Sequence, residues 1–472
     1  MSRTPAQWLD ILTERMDADA QRYRRLAQYV NGDAPLPELS RDTSEAWKTF
    51  QKEARTNFGA TIRDAVADRV VPLGITVGGS VSSPSAKAAA LVWRDNRMDS
   101  VVRELLIHGL TYGRSFLSVY ASDSGVPVIV AESPLRVCVD TDPLRPWRIN
   151  AAVRVWRNPT ESTDYATVMA DGVMQSFKRH SFTETRNSST TVLDRFQGGW
   201  VEDGEPTEQK GAIPVVVYDN PQRVAEVEPH TDIIDRINRS VLNLLTTAAM
   251  QAFKQRALVK PDGSKGLPQK DENGNVIDWA KMFEPAPAAL WNLPPGVSVW
   301  EGAATDTSPM LNSIVSYIKH LSAATGTPLP MLMPDSANQT AAGAENTEKA
   351  FIFKVRQRLS QAKLAVEAAL VIALELMDKS TTKTINVAFE DPTRVLLTEK
   401  YAAAVQAKAA GVSLRTIQTL ILGMTPEEIE QDAIERAKEL AEKPTPTPPV
   451  IEAGAVDDPE NTGPTADNRL RD

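Results

Sequence analysis

The chain has 472 residues, 42% of them hydrophobic, which allows a real core and either two to four domains or one elaborate subunit. Its formal net charge is −9; a tight nucleic-acid binder usually shows a basic excess, which argues against a repressor or nuclease surface. One cysteine, Cys138, rules out a disulfide scaffold and a cysteine-rich zinc site, and it reads as a buried small apolar residue. The start, Met1-Ser2-Arg3-Thr4-Pro5, lacks a signal-peptide apolar core. No run of about 18 apolar residues predicts a membrane span, so a cytoplasmic origin and no membrane partner are expected.

Taken in order, residues 5–30 predict a helix, with Trp8, Leu12, Met16, Tyr23 and Val30 near helical spacing and Asn31-Gly32-Asp33 as its stop. A second helix is expected from Ser44 to Val71, with Trp47, Phe50, Ala54, Phe58, Ile62 and Val66 inward. Ile75-Thr76-Val77 is a short strand. Residues 85–113 predict two further helical pieces before Gly113. A β-rich stretch follows, with strands at Pro127–Ala131, Arg136–Val139, Ile149–Trp156, Tyr165–Met169, Val173–Phe177, Val192–Phe196 and Ile213–Tyr218. Asp171-Gly172 reads as a tight hairpin turn. The tryptophans Trp8, Trp47, Trp93, Trp147, Trp156 and Trp200 read as core.

Val227–Leu258 predicts a helix with acids at its start and Lys254, Arg256 and Lys260 at its end, a polarity suited to the helix dipole. Residues 259–308 are rich in Pro and Gly, with Asn273-Gly274 as a hairpin turn and Trp279, Phe283, Trp291 and Trp300 as apolar anchors. Residues 309–325 are helical again and are expected to pair with the Val227 helix. Gly326-Thr327-Pro328-Leu329-Pro330 breaks the chain, since each proline removes a donor and disfavours helix before it. The uncharged run Ala337–Ala344 is a loop. A long helix then runs from Glu345 to Asp378, roughly 50 Å at 1.5 Å per residue. Its buried face is Phe351, Val355, Ala362, Val366, Leu370, Ala373 and Met377, and Lys349, Arg356 and Lys363 form a basic stripe elsewhere on it. Thr384–Phe389 is a strand, followed by helices at 397–410, 413–422 and 426–442. The Pro-rich tail 443–472 is expected to be disordered.

This order of parts resembles the phage portal family, the ring proteins at one vertex of a tailed-phage head. The hinge Gly326-Thr327-Pro328 and the early long-helix residues Glu345, Asn346, Glu348 and Phe351 are similar to its hinge and long helix. The resemblance implies an α+β fold with a β-rich wing and N-terminal helices at 1–225, a first stem helix at 226–258, a clip at 259–308 and a second stem helix at 309–327. It further implies a hinge and tunnel loop at 328–344, a long wing helix at 345–378, a crown region at 379–442 and a tail at 443–472. The implied function is a channel for DNA packaging and ejection. The implied partners are copies of the chain itself in a ring, usually twelve, and double-stranded DNA passing non-specifically. Others are the terminase large subunit, the major capsid protein and scaffold, and a head–tail connector or adaptor. The location would be the capsid vertex of the virion, after synthesis in the bacterial host cytoplasm.

On that reading Asn338, Gln339 and Thr340 of the tunnel loop meet DNA through weak, uncharged contacts; the alternative is a mobile surface loop with no role. Tight phosphate pairing would instead hold DNA still. Lys254, Arg256, Lys349, Arg356 and Lys363 face the channel or a neighbouring subunit, or remain a solvated face. Trp279, Phe283, Trp291 and Trp300 form the clip that docks terminase or connector. No catalytic residue, metal or cofactor is expected. The chain has no Gly-x-x-x-x-Gly-Lys loop and no His-Glu-x-x-His. His108, His180, His230 and His320 are scattered. Asp140-x-Asp142 reads as a turn, and Asp271-x-Asn273-x-Asn275 has Val276 where a calcium loop needs glycine. The alternatives are another virion or head-assembly protein, or a soluble multidomain enzyme.

Overall fold

The structure, a computed structural model, describes residues 3–35, 45–181, 192–209, 211–252, 256–259, 269–270, 274–276, 278, 298–301, 305–334, 341–393 and 397–442. Helix α1 (Pro5–Val30) begins with a capping box, in which the Thr4 side chain accepts from the Gln7 backbone and the Gln7 side chain accepts from that of Thr4. Helices α2 (Glu45–Glu53) and α3 (Phe58–Ala67) follow. They replace the single helix expected over 44–71. The Thr56 amide and hydroxyl both donate to Asn238 Oδ1, at 2.9 and 2.7 Å. Asn57 caps α3, and Gly59 lies so close to the Tyr29 carbonyl that a Cβ there would sit 2.3 Å away. Tertiary contacts therefore break a continuous helical pattern.

Strand β1 (Pro72–Val77), helices α4 (Pro84–Asp95) and α5 (Met98–Tyr112), and strands β2 (Arg114–Tyr120) and β3 (Val128–Glu132) come next. Then come β4 (Val137–Thr141), β5 (Ile149–Asn158), β6 (Thr163–Ala170) and β7 (Val173–His180), two short strands, β8 (Val201–Glu202) and β9 (Thr207–Glu208), and finally β10 (Val215–Asp219). Strands β10-β2-β3 form one antiparallel sheet. A second has the order β4-β5-β6-β7-β8, with β9 also on β7. Asp171 and Gly172 both have positive φ between paired Ala170 and Val173, which is the expected two-residue turn. Val192–Phe196 is not a strand. Arg179 donates to the carbonyls of Arg195, Phe196, Gln197 and Gly198, and the Phe196 and Gln197 amides donate to Asp17 at 2.9 Å each. Side chains thus take the carbonyls of Leu193, Asp194, Arg195 and Phe196 and the Phe196 amide, groups that a ladder would need.

Helix α6 (Thr231–Ala252) stops short of the expected Leu258, because Arg256–Val259 forms strand β11 against β12 (Ser298–Glu301). Helices α7 (Ser308–Thr325) and α8 (Leu329–Leu332) precede the 36-residue α9 (Ala341–Leu376). The last is about 54 Å long. It starts earlier than expected, because Ala341–Ala344 join the helix rather than the loop; alanine is the best helix former. Strand β13 (Ile385–Phe389) pairs antiparallel with β1. The C-terminal helices are α10 (Leu397–Ala409), α11 (Leu414–Ile417), which runs into a π turn over Gln418–Leu422, and α12 (Pro426–Glu442).

Helix α9 is the spine of the largest core. Phe351, Val355, Ala362, Val366, Leu370 and Ala373 are fully buried against α4, α5, β2, β10 and β13. A second core lies under α1, where Leu9, Leu12 and Met16 meet Val153, Val155, Val168 and Phe177 of the large sheet. The last turns of α1 (Leu26, Tyr29, Val30) leave that core for a third, with Ile62, Ile234, Ile237 and Leu321. Trp8 is buried, but Trp147 is 80% exposed at the β4–β5 tip, contrary to its reading as core. Asp142 Oδ1 there accepts the Leu144 and Arg145 amides in an Asx turn, and the Arg148 amide donates to the Arg145 carbonyl at 2.7 Å, so Trp147 lies in a second tight turn at the tip. Trp93, Trp156 and Trp200 are half-buried, and Trp156 stacks on Tyr165 at 4.6 Å. The Trp47 side chain and the tail fall outside the described residues. Cys138 is half-buried rather than fully buried, and desolvation pushes its thiol up to about 11.

Candidate functional site at the junction of three helices

The two mid-length helices α6 and α7 pack against each other, as expected, with Arg236 over the Tyr317 ring. Among the described residues, burial is concentrated at one end of the pair. In α7 the buried residues are Ile318, Leu321, Ser322 and Thr325, all in its last two turns. The other ends lead into the excursion that contains β11 and β12.

At the buried end, α7 closes on Gly326, whose φ of 66° suits glycine. Ser322 Oγ donates to the Thr327 carbonyl at 2.7 Å, and the Thr327 amide donates to Thr325 Oγ1 at 3.3 Å. The break is thus wired by hydroxyls. Lys354 of α9 donates to the Thr325 carbonyl at 3.0 Å and pairs with Glu226 Oε2 at 2.5 Å. Arg358, one turn on, donates through Nε to Glu226 Oε1 at 2.7 Å. Glu226 itself precedes α6, and its amide donates to the Leu110 carbonyl of α5 at 2.9 Å. Glu226 therefore ties the approach to α6 to the middle of α9 through its carboxylate, to the end of α5 through its backbone amide, and to the end of α7 through Lys354.

Neighbouring contacts fix the same block. Arg22 of α1 holds Glu228 through two hydrogen bonds of 2.6 Å, and Tyr29 donates to Asp235 at 2.8 Å. Gly113 ends α5 at φ 85°, and a Cβ there would lie 2.3 Å from the Arg223 carbonyl, so only glycine fits. Burial pushes the Glu226 carboxyl up, but the two cations outweigh it and hold it below the usual range. His230 is pushed below its ordinary value, chiefly by burial and then by the charge of Lys354.

The junction was not among the expected site residues. Lys354 and Arg358 are like charges at i, i+4, which repel; their spacing was the available clue to a shared anion. Of the expected residues, Asn338, Gln339, Thr340, Lys254, Trp279, Phe283 and Trp291 lie outside the described residues. Arg256 sits on β11, not on a helix, and its side chain is likewise outside them. Trp300 on β12 is 55% exposed. Lys349 is exposed on α9. Arg356 donates to Asp391 at 3.2 Å, and Lys363 to Asn386 at 2.6 Å, so both tie α9 to the β13 region. Asp140 accepts from Arg15 and Asn150. Among the described residues no group of three or more His, Cys, Asp or Glu side chains is placed to hold a metal. No helix among them is long and apolar enough to cross a membrane.

A family model described as phage portal protein, SPP1 Gp6-like, matches residues 9–443. Among solved structures, the chain is similar to a chain from the virion of a native gene transfer agent particle. That pair shares 13% identity and a TM-score of 0.44, and the match covers 84% of this chain and 99% of that one. It is also similar to a chain from the neck of a native gene transfer agent particle computed with C12 symmetry, with 14% identity, a TM-score of 0.40 and coverage of 85% and 98%. A third is from the neck of an empty particle computed with C6 symmetry, with 15% identity, a TM-score of 0.41 and coverage of 85% and 98%. No curated protein matches.

Proposed function

The chain belongs to the SPP1 Gp6-like phage portal protein family and has a structural portal role in the capsid, and from that premise we propose that it forms a ring around the DNA path at one vertex. Heterologous contacts close into such a ring when the rotation closes, and twelve copies is the expected number. The proposed role is passive: the ring surrounds the duplex and offers docking to a terminase motor, a connector and the shell, while ATP hydrolysis belongs to the motor.

The observation that carries this reading is the α6–α7 pair, held at one end by the buried Glu226 junction and leading at the other into β11–β12. That is the arrangement a stem with a distal clip requires. We assign α6 and α7 to the stem, the 253–307 excursion with Trp300 to the clip, the sheets with α9 to the wing and 379–442 to the crown. We assign the weak DNA contacts to Asn338, Gln339 and Thr340, which lie outside the described residues. A summed negative charge keeps DNA from sticking to the wall. Electron microscopy of the purified full chain tests this. Rings with an axial opening wide enough for a duplex are expected; solid particles or single chains at micromolar concentration would overturn it.

A further inference from the structure

Helix α10 has no buried residue. Yet Leu397, Tyr401 and Val405 recur at four-residue steps on one face and are 65%, 56% and 70% exposed. Lys408 falls on the same face at the far end and makes no ion pair among the described residues. A helix of 13 residues is marginal alone in water and gains its stability by packing one face. An open apolar stripe of this kind marks a contact surface.

The same chain carries a surface of the opposite kind. A cleft of about 490 Å3 opens between α11, α12 and the 79–81 loop, with Val81, Leu414, Pro426, Ile429 and Ala433 among its lining. Glu430 stands in that lining too, and it has no ion-pair partner among the described residues. Helix α10 holds Lys400 and Lys408 against Glu399, whereas α12 holds seven carboxylates against Arg436 and Lys438; Arg415 of α11 lines the cleft as well, its guanidinium donating to the Gly79 carbonyl at 2.7 Å. Within one chain the stripe does not fill the cleft: α10 leans on the 414–422 segment, and α12 on that segment and β1.

We infer that the Leu397–Tyr401–Val405 face of one copy seats in the α11–α12 cleft of the next copy, with Lys408 set against Glu430. A head-to-tail contact needs two unlike surfaces on every chain, and this pair supplies them: an exposed apolar stripe ending in Lys408 and a cleft with apolar lining that holds Glu430. The inference rests on the ring reading above and names where its subunits meet.

The test uses the full chain in native mass spectrometry at matched concentrations, with circular dichroism to report folding. Wild type is compared with Tyr401→Asp/Val405→Asp, Lys408→Glu, Glu430→Lys and the double reversal Lys408→Glu/Glu430→Lys. The aspartate pair should shift the main species from the multi-subunit mass to the 51.6 kDa of one chain. Each single reversal should lower the ring fraction, and the double reversal should restore it, because opposite charges face each other again across every contact. Should the aspartate variant misfold, the reversal set decides alone. Rings that persist in the aspartate variant, or a double reversal without rescue, overturn this contact and leave the ring reading standing. A wild-type chain that stays single overturns both.

Discussion

Two buried carboxylates, Asp164 and Glu226, are each clamped by two cations but serve different spans of the fold. Asp164 accepts from Arg157 at 2.8 Å, Arg179 at 3.1 Å and Ser181 at 2.6 Å, all on or beside adjoining strands. Its partners lie 7, 15 and 17 residues away. Glu226 meets Arg358 across 132 residues and draws four helices to one point. The first network seals one sheet and its covering loop; the second sets the relation between elements that each have their own core. Burying charge is costly unless it is well paired. The contrast indicates that the chain spends such pairs both on making a unit and on orienting units.

The sharpest way to break the contrast is Asp164→Ala, which removes the buried carboxylate that two buried guanidinium groups share and leaves Arg179 with carbonyl partners only. We expect a loss of about 3–5 kcal/mol, read by urea unfolding through the fluorescence of Trp156 and Trp200. Glu226→Gln should cost less, about 2 kcal/mol, since the amide oxygen still accepts a hydrogen bond. Its signature is positional: faster amide exchange at 110–113, 226–230 and 325–327, with the β5–β7 sheet unchanged. Exchange that quickens equally everywhere would erase the distinction drawn here.

Acidification sharpens it further. Both His230 and Glu226 have folded values below their ordinary ones. For each, the stabilisation is present above the unfolded value and is lost as pH falls through the folded one. The junction should therefore loosen in two stages, below about 6.5 for His230 and below about 4.5 for Glu226. His230→Gln should remove only the first stage in a pH titration of Tm. The smallest effect belongs to Trp147→Ser at the β4–β5 tip, which should leave stability within about 0.5 kcal/mol, as thermal unfolding will report.

How far the sequence disclosed these regions follows from the range of the forces involved. The buried face of α9 was legible from Phe351 to Ala373 because periodicity records burial directly, and Asp171-Gly172 was legible because only a local turn needs that pair. The α2–α3 break was not, because Asn238 imposes it from 182 residues away. Nor was the end of α6, where cross-strand pairing with Val299 and Trp300 overrides a helical pattern. Glu226 read as one more acid near a helix start, and Lys354 and Arg358 were not singled out at all. A partner 132 residues distant leaves no periodic trace.

Lys354 touches the end of α7 and the carboxylate before α6 with a single ammonium group. Those two rods consequently cannot tilt independently. A pull on either would travel through one nitrogen into the middle of α9, so the paired rods and that helix respond as a single mechanical unit.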